Sequence, residues 1–134
     1  MITEDYVSFK IAKLLKEKGF DELCIFKYDL EGTRVKAGVA IDEWQNGELD
    51  NGECSAPTLQ MATKWLREVH NIFIDIYLPS HSEREDTIYH GTYSFDIFNL
   101  NTKVYVYCTW GEIEFNSYEE AVESALKYCL ENLI

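Results

Sequence analysis

The chain has 134 residues, 46% of them hydrophobic, and its 24 acids against 12 Lys and Arg give a formal charge of −12. That length holds one ordinary core, so a single domain over residues 1–134 is expected, with no metal or disulfide staple needed for folding. The charge speaks against direct nucleic-acid binding, which needs clustered cations to neutralise phosphates, and no run approaches the ~18 apolar residues of a membrane span.

The first predicted helix starts at Thr3 as N-cap, with Glu4 and Asp5 in the first turn where the helix dipole favours acids. Val7, Ile11, Leu14 and Leu15 form its apolar stripe, and Gly19 with Phe20 reads as a Schellman stop. The cluster Lys10, Lys13, Lys16 and Lys18 is then a solvated helix face. Two strands follow, over residues 23–28 and 33–41, joined by the turn DLEG. In the second, Val35, Ala37, Val39 and Ile41 share one face by alternation.

A second helix is expected from Ser55 as N-cap to Asn71, lined by Leu59, Ala62, Leu66 and Val69, with Met61 and Trp65 widening the stripe. Three strand-like runs come next: NIFIDIYLP, DTIYHGTYSFDIFNL and KVYVYCTWG. Residues 80–86 read as a charged surface loop and residues 99–102 as a turn. The last helix opens with a capping box, Ser117 and Glu120, and carries the stripe Val122, Ala125, Leu126, Cys129, Leu130 and Leu133. Cys129 is thus expected in the core. The order αββαβββα with hairpin-length connections predicts an α+β domain, an antiparallel or mixed sheet with helices packed on one face.

The segments TEDYVSFKIAKLLKEKGF, SAPTLQMATKWLREVHNIFI and SYEEAVESALKYCLENLI resemble a group of short, functionally uncharacterised proteins from gut bacteria and their prophages or mobile elements. The resemblance covers the three predicted helices and carries no catalytic motif. It implies a cytoplasmic accessory protein of a bacterium or phage and supplies no reaction. The terminus MITEDYVSFK, with no basic segment ahead of an apolar run, also leads us to expect a cytoplasmic protein without a secretory signal, and its four scattered cysteines are expected as reduced thiols.

The stretch DEWQNGELDNGE (residues 42–53) has the outline of a calcium loop. Asp42, Asn46, Asp50 and Glu53 fall at positions 1, 5, 9 and 12, with Gly47 at 6. Against it, Trp44 stands where an oxygen ligand belongs, and the entering residues read as a strand and not a helix. The alternative is a type I′ hairpin turn at Asn46-Gly47 and a second turn at Asn51-Gly52. A zinc site from Cys24, Cys54 or Cys108 with His70, His81 or His90 lacks any paired spacing. A Cys108–His90 catalytic pair is disfavoured because alternation with Val104 and Val106 turns Cys108 to the apolar face. No cofactor is expected, and no convergent acid, base and nucleophile set can be named, so the reading leans away from an enzyme.

The most informative feature is aromatic. With Ile72, Ile74, Ile76 and Leu78 facing the helices, Phe73 and Tyr77 face away, edged by Asp75. With Val104, Val106 and Cys108 inward, Tyr105 and Tyr107 point outward. Tyrosine stripes of this kind suit interfaces, though tyrosine also has high strand propensity of its own. The expectation is a protein-binding accessory domain that docks, or self-associates, through this face. The alternative is an acidic mimic of nucleic acid that inhibits a DNA-handling protein. Only three basic residues, Arg84, Lys103 and Lys127, oppose twelve acids from Glu68 to the last residue.

Overall fold

Ser8, not Thr3, caps the first helix in the computed structural model of the chain. The structure describes residues 1–38, 42–83, 86–89, 92–110 and 112–134, with the backbone alone for 80–83 and 86–89. Helix α1 spans Phe9–Glu17, and the Ser8 side chain accepts the Ile11 N–H at 3.3 Å. The residues ahead of it form an extended arm instead of a first turn. Tertiary hydrogen bonds decide this: the Val7 N–H donates to Pro57 O at 3.0 Å, and the Leu59 N–H donates to Asp5 O at 2.9 Å. Val7 is fully buried, and its carbonyl accepts the Tyr28 hydroxyl. The helix ends as expected, with Gly19 at φ +94° and the Phe20 N–H bonded to Leu15 O.

Strands β1 (Phe26–Tyr28), β2 (Arg34–Lys36) and β3 (Cys54–Ser55) form a small antiparallel sheet in the order β2-β1-β3. The DLEG turn is built by Asp29, whose carboxylate accepts the N–H groups of Glu31 and Thr33, both at 2.9 Å. Val35 is partly exposed, whereas Val39 and Ile41 lie outside the described residues. Ser55 belongs to β3, paired with Lys27, so the cap of α2 (Leu59–His70) passes to Thr58. Its hydroxyl accepts the Met61 N–H at 3.0 Å. Asn71 ends the helix in the left-handed conformation at φ 57°.

Strands β4 (Ile72–Tyr77), β7 (Ser94–Asn99) and β8 (Val104–Cys108) form a second antiparallel sheet, ordered β4-β7-β8. Between them in sequence, β5 (Ser80–Glu83) and β6 (Asp86–Tyr89) pair as a hairpin. This corrects two expectations: residues 80–83 are strand and not loop, and the run DTIYHGTYSFDIFNL is two strands. The segment SHSE is polar and lacks apolar alternation, so the sequence pattern gives no sign of its pairing with DTIY. Helix α3 (Tyr118–Asn132) is capped by Ser117, which accepts the Glu120 N–H at 3.1 Å. The Glu120 carboxylate reaches one residue further back than a capping box requires, to the Asn116 N–H.

The chain is thus an α+β fold with three helices and antiparallel sheets among its described residues. Its core lies where the helices meet the inner faces of both three-stranded sheets. Phe20, Trp65, Leu66, Phe95, Ile97, Leu126 and Leu130 are among its large members, with Ile11 and Leu15 of α1, and Cys129 is fully buried with them. Among the described residues, no helix is long and apolar enough to cross a membrane.

Candidate functional site

Register decides which side chains share the outer face of the β4-β7-β8 sheet. Ile74 pairs with Ile97 and Ile76 with Phe95, and these four point towards the helices. The alternate residues face away in two rungs across all three strands. Phe73, Phe98 and Tyr105 form an aromatic rung, and Asp75, Asp96 and Cys108 form an acidic one. Phe98 and Tyr105 meet edge to face with 5.0 Å between centroids. Tyr105 is 60% exposed and Phe73 38%.

Four of the five expected face residues, Phe73, Asp75, Tyr77 and Tyr105, are brought together in this way. Tyr107 is not among them. A β-bulge falls between Ile97 and Phe98 in the pairing with β8, so Ile97 pairs with Tyr107 and Phe98 with Tyr105. The extra residue, Val106, breaks the alternation, and Tyr107 turns to the helix side, where it stacks on Tyr128. Val104 and Val106, expected inward, are 53% and 40% exposed. Cys108 is likewise exposed and lies on the outer face, not in the apolar interior. Asp96 and Phe98 belong to the site but were not singled out from sequence. The alternation of SFDIFN holds the signal once Phe95 and Ile97 are known to face inward.

The acidic rung has its own chemistry. The Tyr77 hydroxyl donates to Asp96 Oδ1 at 3.1 Å. Burial and that hydrogen bond push the phenol well above its ordinary range. Burial, then hydrogen bonding to Asp96, also raises the Cys108 thiol. Neither group is a poised nucleophile or base at neutral pH. Asp75 and Asp96 are direct cross-strand partners, an arrangement of like charges that costs stability and that a cationic partner would relieve.

The other candidates dissolve into structural roles. In residues 42–53, Asn46 is buried, donating to Phe20 O at 2.7 Å and accepting the Ser55 N–H at 2.8 Å. Glu53 is ion-paired to Lys27 at 2.6 Å, while the Lys16 ammonium donates to the Glu53 and Asp50 carbonyls. Two of the expected calcium ligands are therefore engaged elsewhere, and a lysine ammonium sits against the loop backbone. Asn46–Glu48 form a 3-10 turn, not a type I′ hairpin, and the Gly47 N–H donates to Asp21. Lys16 thereby braces the loop, so this member of the lysine cluster does more than face solvent.

All four cysteines are free. Burial pushes the Cys24 and Cys54 thiols up to about 11 and Cys129 to about 12. No three His, Cys, Asp or Glu side chains converge as a metal site among the described residues. His90 and the side chain of His81 lie outside them, so the Cys108–His90 pair does too. Comparisons with protein families, with curated proteins and with solved structures find no match for this chain.

Proposed function

We propose that this domain is a non-enzymatic protein-binding module that docks through the outer face of the β4-β7-β8 sheet. The observation that carries this reading is the pairing of an aromatic rung with an acidic rung on one side of the sheet. Phe73, Phe98 and Tyr105 take no part in the core that holds the helices. Aromatic side chains there offer contact area at low entropic cost, and Asp75 and Asp96 favour a partner that brings Lys or Arg. The net charge of −12 supports the same preference by steering a basic protein inward.

Affinity capture from nuclease-treated host lysate tests it, with Tyr105→Glu and Asp75→Lys run beside the unaltered protein. A partner retained by the unaltered chain and lost from both variants is the expected result. The same partner on all three would remove this face as the docking surface. Retention at high salt fits aromatic docking, whereas early elution favours the acidic-mimic alternative. Sedimentation of the purified protein separates a hetero-partner from self-association.

A further inference from the structure

We infer that the free edge of β4, with the cleft beside it, is a groove for an extended basic segment of a partner protein, held as an added strand. This rests on the reading of the domain as a protein-binding module and names the class of partner. The sheet order β4-β7-β8 leaves β4 with a strand on one side only, among the described residues. In an antiparallel pair alternate residues direct their N–H and C=O groups away from the neighbour, so an edge strand presents a row of unused groups.

A cleft of about 670 Å³ is lined by Phe73, Ile74, Asp75 and Ile76. Side chains of successive strand residues point to opposite faces. Four in a row can line one cleft only if it runs along the edge of the strand. Edges are normally protected by charged side chains, lysine above all, by proline or by a bulge, and β4 has one charge, Asp75, but no lysine, proline or bulge. Its sequence is IFIDIY, its pairing with β7 is regular, and the bulge lies in the other ladder.

Charge selects the occupant. Glu4, Asp5, Asp75 and Glu119 line the cleft against one cation, Arg67, among the described residues. Leu59 and Val122 supply apolar wall on the side of Ile74 and Ile76. An added strand with alternating aliphatic and basic residues meets both demands. Its aliphatic side chains turn towards the helices, and its lysines or arginines turn to the outer face that carries Asp75. A second copy of this chain fits poorly. Antiparallel pairing of two β4 strands with faces matched sets Asp75 opposite Asp75, Phe73 or Tyr77 of the other copy, and brings two acidic clefts together.

The test uses three labelled peptides of about eight residues: one alternating Lys with Val and Ile, its glutamate counterpart, and the lysine peptide N-methylated at alternate amides. Fluorescence anisotropy reads binding, and hydrogen exchange reads protection of the β4 amides. The lysine peptide is expected to bind, to slow β4 exchange about ten-fold, and to lose about ten-fold or more in affinity on N-methylation. Asp75→Asn should weaken it further, with circular dichroism showing the variant folded. Equal binding of the N-methylated peptide, binding of the glutamate peptide, or protection that misses β4 overturns the inference. So does β4 protection that grows with protein concentration alone, which would assign the edge to a second copy. If the peptides fail while Tyr105→Glu still loses its captured partner, the groove falls and the face reading stands. If the lysine peptide protects β4 but capture survives in Tyr105→Glu, the reverse holds.

Discussion

Tyr107 lies flat against Tyr128, with 3.9 Å between ring centroids and 16° between ring planes. This contact ties β8 to α3 and takes Tyr107 out of the outer aromatic face, two residues from Tyr105, which stays on it. The two tyrosines should therefore respond differently to truncation. Tyr107→Ala is expected to cost about 2 kcal/mol or more, from lost burial and a lost aromatic pair. Tyr105→Ala should cost less than ~1 kcal/mol, as a partly exposed cross-strand contact. Urea unfolding of both variants checks this. Equal losses would mean that the bulge does not divide them.

Asn46 holds the loop of residues 42–53 to the rest of the domain through one donor and one acceptor, both buried. Asn46→Ala leaves the Phe20 carbonyl and the Ser55 N–H without partners, for an expected loss of about 2–4 kcal/mol. Asn46→Asp keeps the acceptor but sets a carboxylate against the Phe20 carbonyl. It should be destabilised at neutral pH and recover part of the loss on acidification, when the protonated acid can donate. Unfolding midpoints at two pH values measure this, and a pH-independent Asn46→Asp loss would contradict the geometry.

Acid should weaken the fold in two steps. Burial lowers His70 from its ordinary value of 6.5. The unfolded chain therefore takes up that proton first, so stability is full above ~6.5 and declines as pH falls below it. Glu53 is lowered from 4.5 by its hydrogen bond to Lys27, so its contribution is present above that value and lost as pH falls through the lower folded one. Urea midpoints followed from about pH 8 to about pH 3 should show that His70→Gln flattens the upper step and Glu53→Gln the lower. A His70→Gln curve parallel to that of the unaltered protein would assign the upper step to another group.

Cys108 is exposed while Cys24, Cys54 and Cys129 are buried. Maleimide treatment of the native protein, read by mass spectrometry, should label Cys108 alone. Its raised pKa makes labelling slow at neutral pH and faster as pH rises. Asp96→Asn removes the acceptor and its charge, so it should raise the thiolate fraction and speed labelling at a fixed pH. No change in rate would remove Asp96 as the group that holds the thiol protonated.

Much of the fold was legible because it rests on local chemistry. Helical periodicity marked all three helices, and the Gly19 stop, the Asn71 end and the Ser117 cap need only nearby residues and their backbone. The apolar alternation of Ile72, Ile74 and Ile76 set the faces of β4 correctly. The starts of α1 and α2 were misplaced because the arm before α1 and the segment before α2 bond to each other. Each is capped one or more positions later than its own sequence invites.

Local pattern in the chain set the class of the domain, its helices, its acidity and the outward placement of four of the five residues expected on the sheet face, but not of Asp96 and Phe98 beside them. Tertiary structure alone decided the rest. A single bulge sent Tyr107 inward and Cys108 outward, because one inserted residue reverses a period of two for every residue beyond it. The apparent calcium loop became a brace because Lys16, Lys27 and Phe20, distant in sequence, and Ser55, just past the loop, engage its ligand positions. Strand order, which no pairwise pattern in the chain encodes, placed β4 at an edge of its sheet among the described residues, with the acidic cleft beside it.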